Sequence, residues 1–522
     1  MSVKQQITQN SEVDERLAAL MTNANAIRII AQAVEGTIGP KGLDTMLVDQ
    51  YGDVVITNDG VTILDLMDVN HPAARMLIKV AKAQQEEIGD GTTTATIMAG
   101  ALVDEGVTQI VRGVPVIKVI EGLRFGIGKA LQLLEEKTVK LPDLKSPILL
   151  EVALVAGRGY HDIAELVCQA IELIGPQKML EEAFKLSECV RAHEGAKNQV
   201  VSGVILEKEP MSTENPKKFG PVKVLVIDDA LEPEELDDEA LGTETGFARY
   251  LQLQEEFQQN MCKVVELGVN LILVDRGVHA LAEEMLTDRG TMIIQRIANK
   301  ELRQAAEHCG AKLLKRTALK KDKEELQKAL GEAREVYFDE KMKHVCLLGG
   351  SGKPQATILV GASTEEVVGE RERIAKDAAA AVQAAVKGGV LAGGGAIELA
   401  VARELEKTKK EVKGMAVYGI DCVLAALKKP FSQIVLNAGF NPLEKLGDVI
   451  AAQVEKGRDS LGINCDSGEI ADMADLGVYD PALVKKYALQ AAGEVAEAVL
   501  RIDTIIKKKE EKEKKSPDAG EI

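Results

Sequence analysis

Residues 89–94, Gly-Asp-Gly-Thr-Thr-Thr, set a carboxylate between two glycines and follow it with three hydroxyls. Glycine lets a backbone approach a ligand closely, and threonines at a helix start offer amides and hydroxyls to a phosphate. Asp90 would repel a bare phosphate. Its presence makes sense if Mg2+ lies between the two, a hard cation that takes oxygen ligands and bridges phosphates. A plain helix N-cap is the alternative. Neither common glycine-rich template fits. The Walker pattern needs Lys-Ser/Thr after its last glycine, where Thr92 and Thr93 stand, and the dinucleotide pattern needs a third glycine, where Thr94 stands.

Three further places could do chemistry. Gly36, Gly39 and Gly42 surround Thr37, Ile38, Pro40 and Lys41, a turn whose amides can converge on an oxyanion or simply join a helix to a strand. Asp377 lies on the apolar stripe of its helix, among Ile374, Ala378, Ala381, Val382 and Ala385. Carboxylates are rarely buried unpartnered, so it faces a polar cleft, a reacting water or an ion pair with a Lys or Arg. Asp59 directly follows a strand and either caps the next helix or reaches the same water. Gly393–Gly395 opens a helix and leaves room for a sugar or base. The segment 462–470, with Asn464, and Asp480 in GVYDP say nothing by residue type alone. Ser351-Gly352-Lys353 reads as a turn, since Leu347 and Pro354 break the Walker pattern.

The elements that must position these groups follow from periodicity. Helical spacing runs from 12 to 35 and stops at Gly36. Thr45–Asp49 and Val54–Asn58 read as short strands around a Tyr51-Gly52-Asp53 turn. A helix spans 73–88, and another starts among the threonines and runs to about Glu105. The phosphate-like loop therefore joins helix to helix, whereas the two common templates join strand to helix. From 203 to 361, strand-like runs alternate with helical ones, an α/β insert. Residues 365–386, most of 396–458 and 481–506 are helical again, which suggests a base built from both termini. The charged end 507–522 reads as a solvated tail.

A chain of 522 residues exceeds one core and suggests roughly three domains. With 3% aromatics and no Trp, its packing is aliphatic and Ala-rich. A formal charge of −18 argues against nucleic acid as partner. No stretch reaches the apolar length of a membrane span, and the N-terminus has no export signal. Seven scattered cysteines and six scattered histidines, without metal-ligand spacing, point to reduced thiols, a cytoplasmic setting and no transition-metal site. A small-molecule kinase would need an acceptor pocket with a base, which the insert does not offer. A passive holdase would have no use for Asp90 and Asp377.

Taken together, TIGPKGLDTMLVD, NDGVTIL, HPAARMLIKVAKAQQEEIGDGTTTA, LAGGGAIELA and GINCDSGEIADM resemble the chaperonins, specifically the group II-like branch, in order and spacing over nearly the whole chain. The resemblance implies a multidomain fold. A predominantly helical equatorial ATPase domain would comprise 1–141 and 394–522, and an α/β intermediate domain 142–202 and 362–393. An α/β apical domain, 203–361, would bind substrate and carry a helical lid protrusion at about 231–262.

It also implies ATP and Mg2+ as ligands. Thr37, Ile38, Gly39 and Pro40 would contact phosphates, Asp90 would hold the metal, and Gly91, Thr92, Thr93 and Thr94 would cradle the β/γ end. Gly394, Asn464 and Asp480 would hold ribose and adenine. Asp377, helped by Asp59, would orient the attacking water. Partners would be non-native polypeptides and identical subunits in stacked rings, with no separate cochaperonin. Arg158 stands where group II members usually carry a γ-phosphate-sensing Lys, and it replaces a compact ammonium by a planar guanidinium. The segment 231–242 has six acidic residues and no basic one.

Overall fold

The computed structural model describes residues 11–13, 16–48, 51–52, 54–212, 217–234 and 243–508. They form two compact units, one of Met1–Pro142 with Ala380–Ile522 and one of Asp143–Ala379.

The first unit is helical. Its centre is the Thr92–Val111 helix, which extends a turn and a half beyond the expected Glu105. Ala95, Ile97, Met98, Ala99, Leu102, Val103 and Val107 bury it on nearly every side, as expected of a helix that is apolar all round. Against it pack Arg16–Glu35, Pro72–Glu87, Val417–Asn437 and Ala482–Leu500. Each fully buried Leu or Ile here contributes about 1.5–3 kcal/mol, so the start of this helix is among the best anchored points of the unit. Small residues make the packing close. A Cβ on Gly122 would lie 1.7 Å from the Ala416 carbonyl oxygen, and one on Gly419 would lie 2.1 Å from that of Val119. The Val116–Glu136 and Val417–Asn437 helices therefore cross backbone to backbone. Besides the ribbon of Ser11–Val13 with Ile506–Lys508, three short ribbons belong to this unit. They pair Thr45–Val48 with Val54–Thr57, Val390–Ala392 with Tyr479–Pro481, and Leu461–Ile463 with Ile470–Asp472, all antiparallel.

The second unit is α/β. Its main sheet runs Met292–Ile294, Leu271–Val274, Val222–Ile227, Gly331–Asp339, His344–Gly350, Gly203–Leu206. The first three strands are parallel and the rest antiparallel. The runs LILV and VKVLVI are almost wholly buried, as parallel strands covered on both faces must be. A separate three-stranded sheet sets Thr357–Ala362 between Val190–Glu194 and Gln199–Val201.

The Glu244–Glu266 helix divides its apolar stripe. Leu253, Phe257, Met261 and Val264 are buried, whereas Phe247, Tyr250 and Leu251 are 55%, 38% and 54% exposed. Leu231 is also buried, bridged to Val278. Both flanks of the segment are thus rooted in the core. Most of the acidic stretch 231–242 falls outside the described residues.

Candidate functional site

The sequence between the Pro72–Glu87 and Thr92–Val111 helices has two left-handed glycines, Gly89 at φ +84° and Gly91 at φ +81°, with Asp90 between them. Gln84 ends the first helix by accepting from the amides of Ile88 and Gly89 through its backbone carbonyl. Its side-chain Nε2 then donates to the Asp90 carbonyl at 2.7 Å. The Asp90 carboxylate accepts from the Gly91 amide at 2.6 Å. Gly91 is required sterically as well, since a Cβ there would stand 2.4 Å from Val484 Cγ1. The loop thus fixes Asp90 at the mouth of a helix whose first amides have no carbonyl partners within the helix.

Asp59 meets this mouth from the side. It caps the Gly60–Leu66 helix, accepting from the Val61 and Thr62 amides at 3.3 and 3.0 Å and from Thr62 Oγ1 at 2.6 Å. A Cβ on Gly60 would fall 2.6 Å from Thr93 Oγ1 and 3.2 Å from Thr92 Oγ1, so the cap and the threonine hydroxyls are close neighbours. The helix cap is thus formed, and a carboxylate that accepts these three bonds still keeps acceptor capacity for a water.

The carboxyl of Asp90 is pushed up to about 6. Loss of solvent is the main cause, and the negative charges of Asp480 and Asp59 add to it, while the Gly91 amide and the Lys485 ammonium oppose it. A hard divalent cation would relieve this crowding of oxygen donors. Among the described residues no group of three or more His, Cys, Asp or Glu side chains could hold a metal. Magnesium is ordinarily held by one or two carboxylates with phosphate and water, so the donor set fits that ion in company with a phosphate.

A second wall is built from the GGG segment and the Val390–Ala392/Tyr479–Pro481 ribbon. Gly394 has φ +62°, and a Cβ on it would lie 3.0 Å from Met473 Sδ. Met473 also underlies Gly462, at 3.0 Å, and so brings the loop that begins at Asn464 toward the GGG turn. Asn464 Oδ1 accepts from the Asp466 amide at 2.9 Å and shapes that loop. A Cβ on Gly393 would lie 3.2 Å from Asp480 Oδ2. Behind Asp480 stands Lys485, with its Nζ 2.7 Å from Asp480 Oδ2 and 2.5 Å from Glu398 Oε1. Burial alone would pull the Lys485 ammonium down, but Asp480 and Glu398 together hold it above the ordinary lysine value.

The Thr37–Pro40 turn closes the Arg16–Glu35 helix. The Thr37 amide and hydroxyl both donate to the Val34 carbonyl, at 3.1 and 2.9 Å. Gly39 takes φ +87° over the Ile434 side chain. Asn437 Nδ2 donates to the carbonyls of Glu35 and Ile38 at 2.9 and 3.0 Å and pins the turn.

The second unit holds Asp377 and Arg158. Asp377 is half-buried on the Glu365–Gly388 helix. Arg158 follows the Pro147–Ala156 helix in a left-handed conformation, φ +54°, and its guanidinium pairs with Glu370, which also takes Arg373. A Cβ on Gly157 would lie 3.5 Å from the Ala378 methyl, so this turn packs beside Asp377 on the same helix.

Sequence reading missed Gln84, Glu398, Asn437, Met473 and Lys485. A signal existed for two of them. Glu398 sits among Ile397, Leu399 and Val401, and Lys485 lies three residues from Ala482 and Ala488 and four from Leu489, the same stripe anomaly that marked Asp377. Gln84, Asn437 and Met473 carried none.

A loop that mounts an aspartate and three threonines on a buried helix start, in a helical unit made of both termini, defines a nucleotide-driven multidomain protein. Residues 30–510 match the TCP-1/cpn60 chaperonin family. The chain is 35% identical over 519 residues to a thermosome subunit of Pyrococcus abyssi, covering 95% of this chain and 93% of that one. It is 36% identical over 511 residues to the thermosome subunit beta of Archaeoglobus fulgidus, covering 94% and 92%. A crystal structure of a group III chaperonin in the open state superposes with a TM-score of 0.84 at 47% identity, covering 94% of this chain and 99% of that one. The chain belongs to the TCP-1/cpn60 chaperonin family. It has the chaperonin fold and is an ATP-dependent chaperone, an ATPase coupled to protein folding in a double ring with a built-in lid.

Proposed function

We propose that this chain binds Mg·ATP at the Thr92–Val111 helix start and hydrolyses it there to close a chamber over non-native polypeptide. The observation that carries this reading is the Asp90 carboxyl, set by Gly91 at the mouth of that helix and crowded by Asp59 and Asp480. Gly91 and Thr92–Thr94 would cradle the terminal phosphates through amides and hydroxyls. Thr37, Ile38, Gly39 and Pro40 would take phosphate oxygens, and Gly394, Asn464 and Asp480 the ribose and adenine. Mg2+, when bound through Asp90, neutralises phosphate charge.

Asp377, helped by Asp59, would orient the attacking water and accept its proton. Support comes from the helix that carries it. Asp377 is half-buried there among the buried Ile374, Ala378 and Ala381, where a carboxylate without a polar task would be costly. Arg158 would read the γ-phosphate by exchanging Glu370 for it.

Residues 142–202 with 362–393 would act as the intermediate domain and 203–361, wholly within the second unit, as the apical one. The exposed Phe247, Tyr250 and Leu251 favour a lid tip on the apical domain. Identical subunits in stacked rings, no added cap protein and a cytoplasmic setting complete the reading. Seven free thiols suit a reducing compartment.

The test is the Asp90→Ala variant, with nucleotide binding measured with and without Mg2+. Wild type should bind ATP far more tightly with the metal, and the variant should lose most of that gain. Equal metal dependence in the two would remove Asp90 from the metal site.

A further inference from the structure

Lys485 and Glu398 are charged, 5% and 2% exposed in their side chains, and have no part in the proposed hydrolysis. Burying such groups is costly unless each is paired, and breaking one partner of such a set is worse than never having it. Their placement is specific. Glu398 lies in the first turn of the Ala396–Thr408 helix, directly after the GGG segment. Lys485 lies in the first turn of Ala482–Leu500, directly after the ribbon strand that carries Asp480. The Lys485 ammonium therefore ties the GGG turn, the ribbon and a core helix together from behind the ligand wall.

We propose that Lys485 is the positioning residue for sugar recognition: it clamps Asp480 Oδ2, aims the remaining carboxylate face at the ribose hydroxyls, and is itself held by Glu398. This rests on the reading of Asp480 as a ribose contact. Three observations support it. Asp480 keeps 29% of its side chain accessible while Lys485 covers Oδ2 at 2.7 Å, so one oxygen is fixed and the group still faces outward. A Cβ added to Gly393 would come within 3.2 Å of that same Oδ2, so the GGG turn stands beside the carboxylate and narrows its room to swing. Leu391 and Asp480 pair in the ribbon register, so the strand itself cannot slide. A carboxylate held this way is preorganised to accept from two neighbouring hydroxyls, and charge-assisted hydrogen bonds of that kind are the strong ones.

The discriminating experiment compares binding of ATP and 2′,3′-dideoxy-ATP to the assembled protein, wild type and Lys485→Met. Wild type should favour ATP by about tenfold or more, the worth of one charge-assisted hydrogen bond. Lys485→Met should bind ATP about tenfold more weakly and dideoxy-ATP nearly as well as wild type does, so the preference collapses. A purely structural lysine would weaken both nucleotides alike, and that outcome, or a preference left intact in the variant, overturns the positioning role. If wild type binds the two nucleotides equally, Asp480 is not the sugar ligand and the proposal falls with that reading, a result distinct from the first. Should Lys485→Met fail to fold, Glu398→Gln combined with Lys485→Met removes the orphaned buried carboxylate and takes its place with the same expected collapse.

Discussion

Arg158 is ion-paired with Glu370, and both side chains are about three-quarters buried, at 26% and 28% exposure. The cation proposed to read the γ-phosphate therefore already has a carboxylate partner. It can serve the nucleotide only by leaving Glu370, so the pair is a competing equilibrium whose balance can be shifted from either side. Glu370→Gln should free the guanidinium and lower the ATP concentration needed for closure. Arg158→Gly removes the charge and also relieves a left-handed backbone that costs a non-glycine residue about 1–2 kcal/mol, so it tests the charge without a folding penalty. It should leave hydrolysis mostly present while closure slows or fails. Protease protection of the apical segments with a transition-state mimic reports this. Wild-type protection in both variants would make Gly157–Gly159 a structural turn only.

Replacement of Asp377 by Ala should separate binding from chemistry. Loss of a positioned base lowers rate by about 10²–10⁴-fold, while ATP affinity should change little because no phosphate contact is removed. Single-turnover hydrolysis together with equilibrium nucleotide binding measures both. Turnover near that of wild type would retire Asp377 from the reaction.

The proposed lid segment can be trimmed only short of the buried stretch that begins at Leu253. Leu253 and Phe257 are 4% and 5% exposed in the second unit, so losing them would cost about 2–5 kcal/mol each. A Gly-Ser link in place of residues 235–251 should therefore leave assembly and ATP hydrolysis intact while abolishing client encapsulation. Client shielded from protease without any added cap protein would show that the lid lies elsewhere.

Thiol reactivity should single out one cysteine. Burial pushes Cys189 and Cys422 up to about 12 and Cys168, Cys309 and Cys346 to about 11, and it raises Cys465 as well. Thiolate is the reactive form, so these groups stay protonated and slow across roughly pH 7–9, below their raised values. Cys262 is exposed. Maleimide labelling of the native protein should show one fast thiol per chain, lost in Cys262→Ser. Two or more fast thiols would contradict the burial of at least one of the other six.

Much of the shape of the loop 89–94 was legible in the chain because its determinants are local. Gly89 and Gly91 are followed at once by helix-starting threonines, and left-handed backbone and helix polarity are properties of adjacent residues. Asp377 was legible for a related reason, since a carboxylate on an apolar stripe violates helix patterning within a few residues. Asp59 was half legible: its place before a helix allowed a cap, and the bonds to Val61 and Thr62 form it.

The sequence by itself thus determined which local groups could hold a phosphate and where a charge was out of place. Tertiary structure decided their partners. Lys485 meets Glu398 across 87 residues, and Asn437 pins Ile38 across 399. A buried charge or carbonyl demands a partner wherever burial occurs, but the demand is set by desolvation, which depends on what packs around it, and the chain brings that partner from any distance. Local pattern can announce the need, as it does at Lys485 and Glu398. Only the folded helices, crossing closely at Gly122 and Gly419, determine which groups are left to meet it.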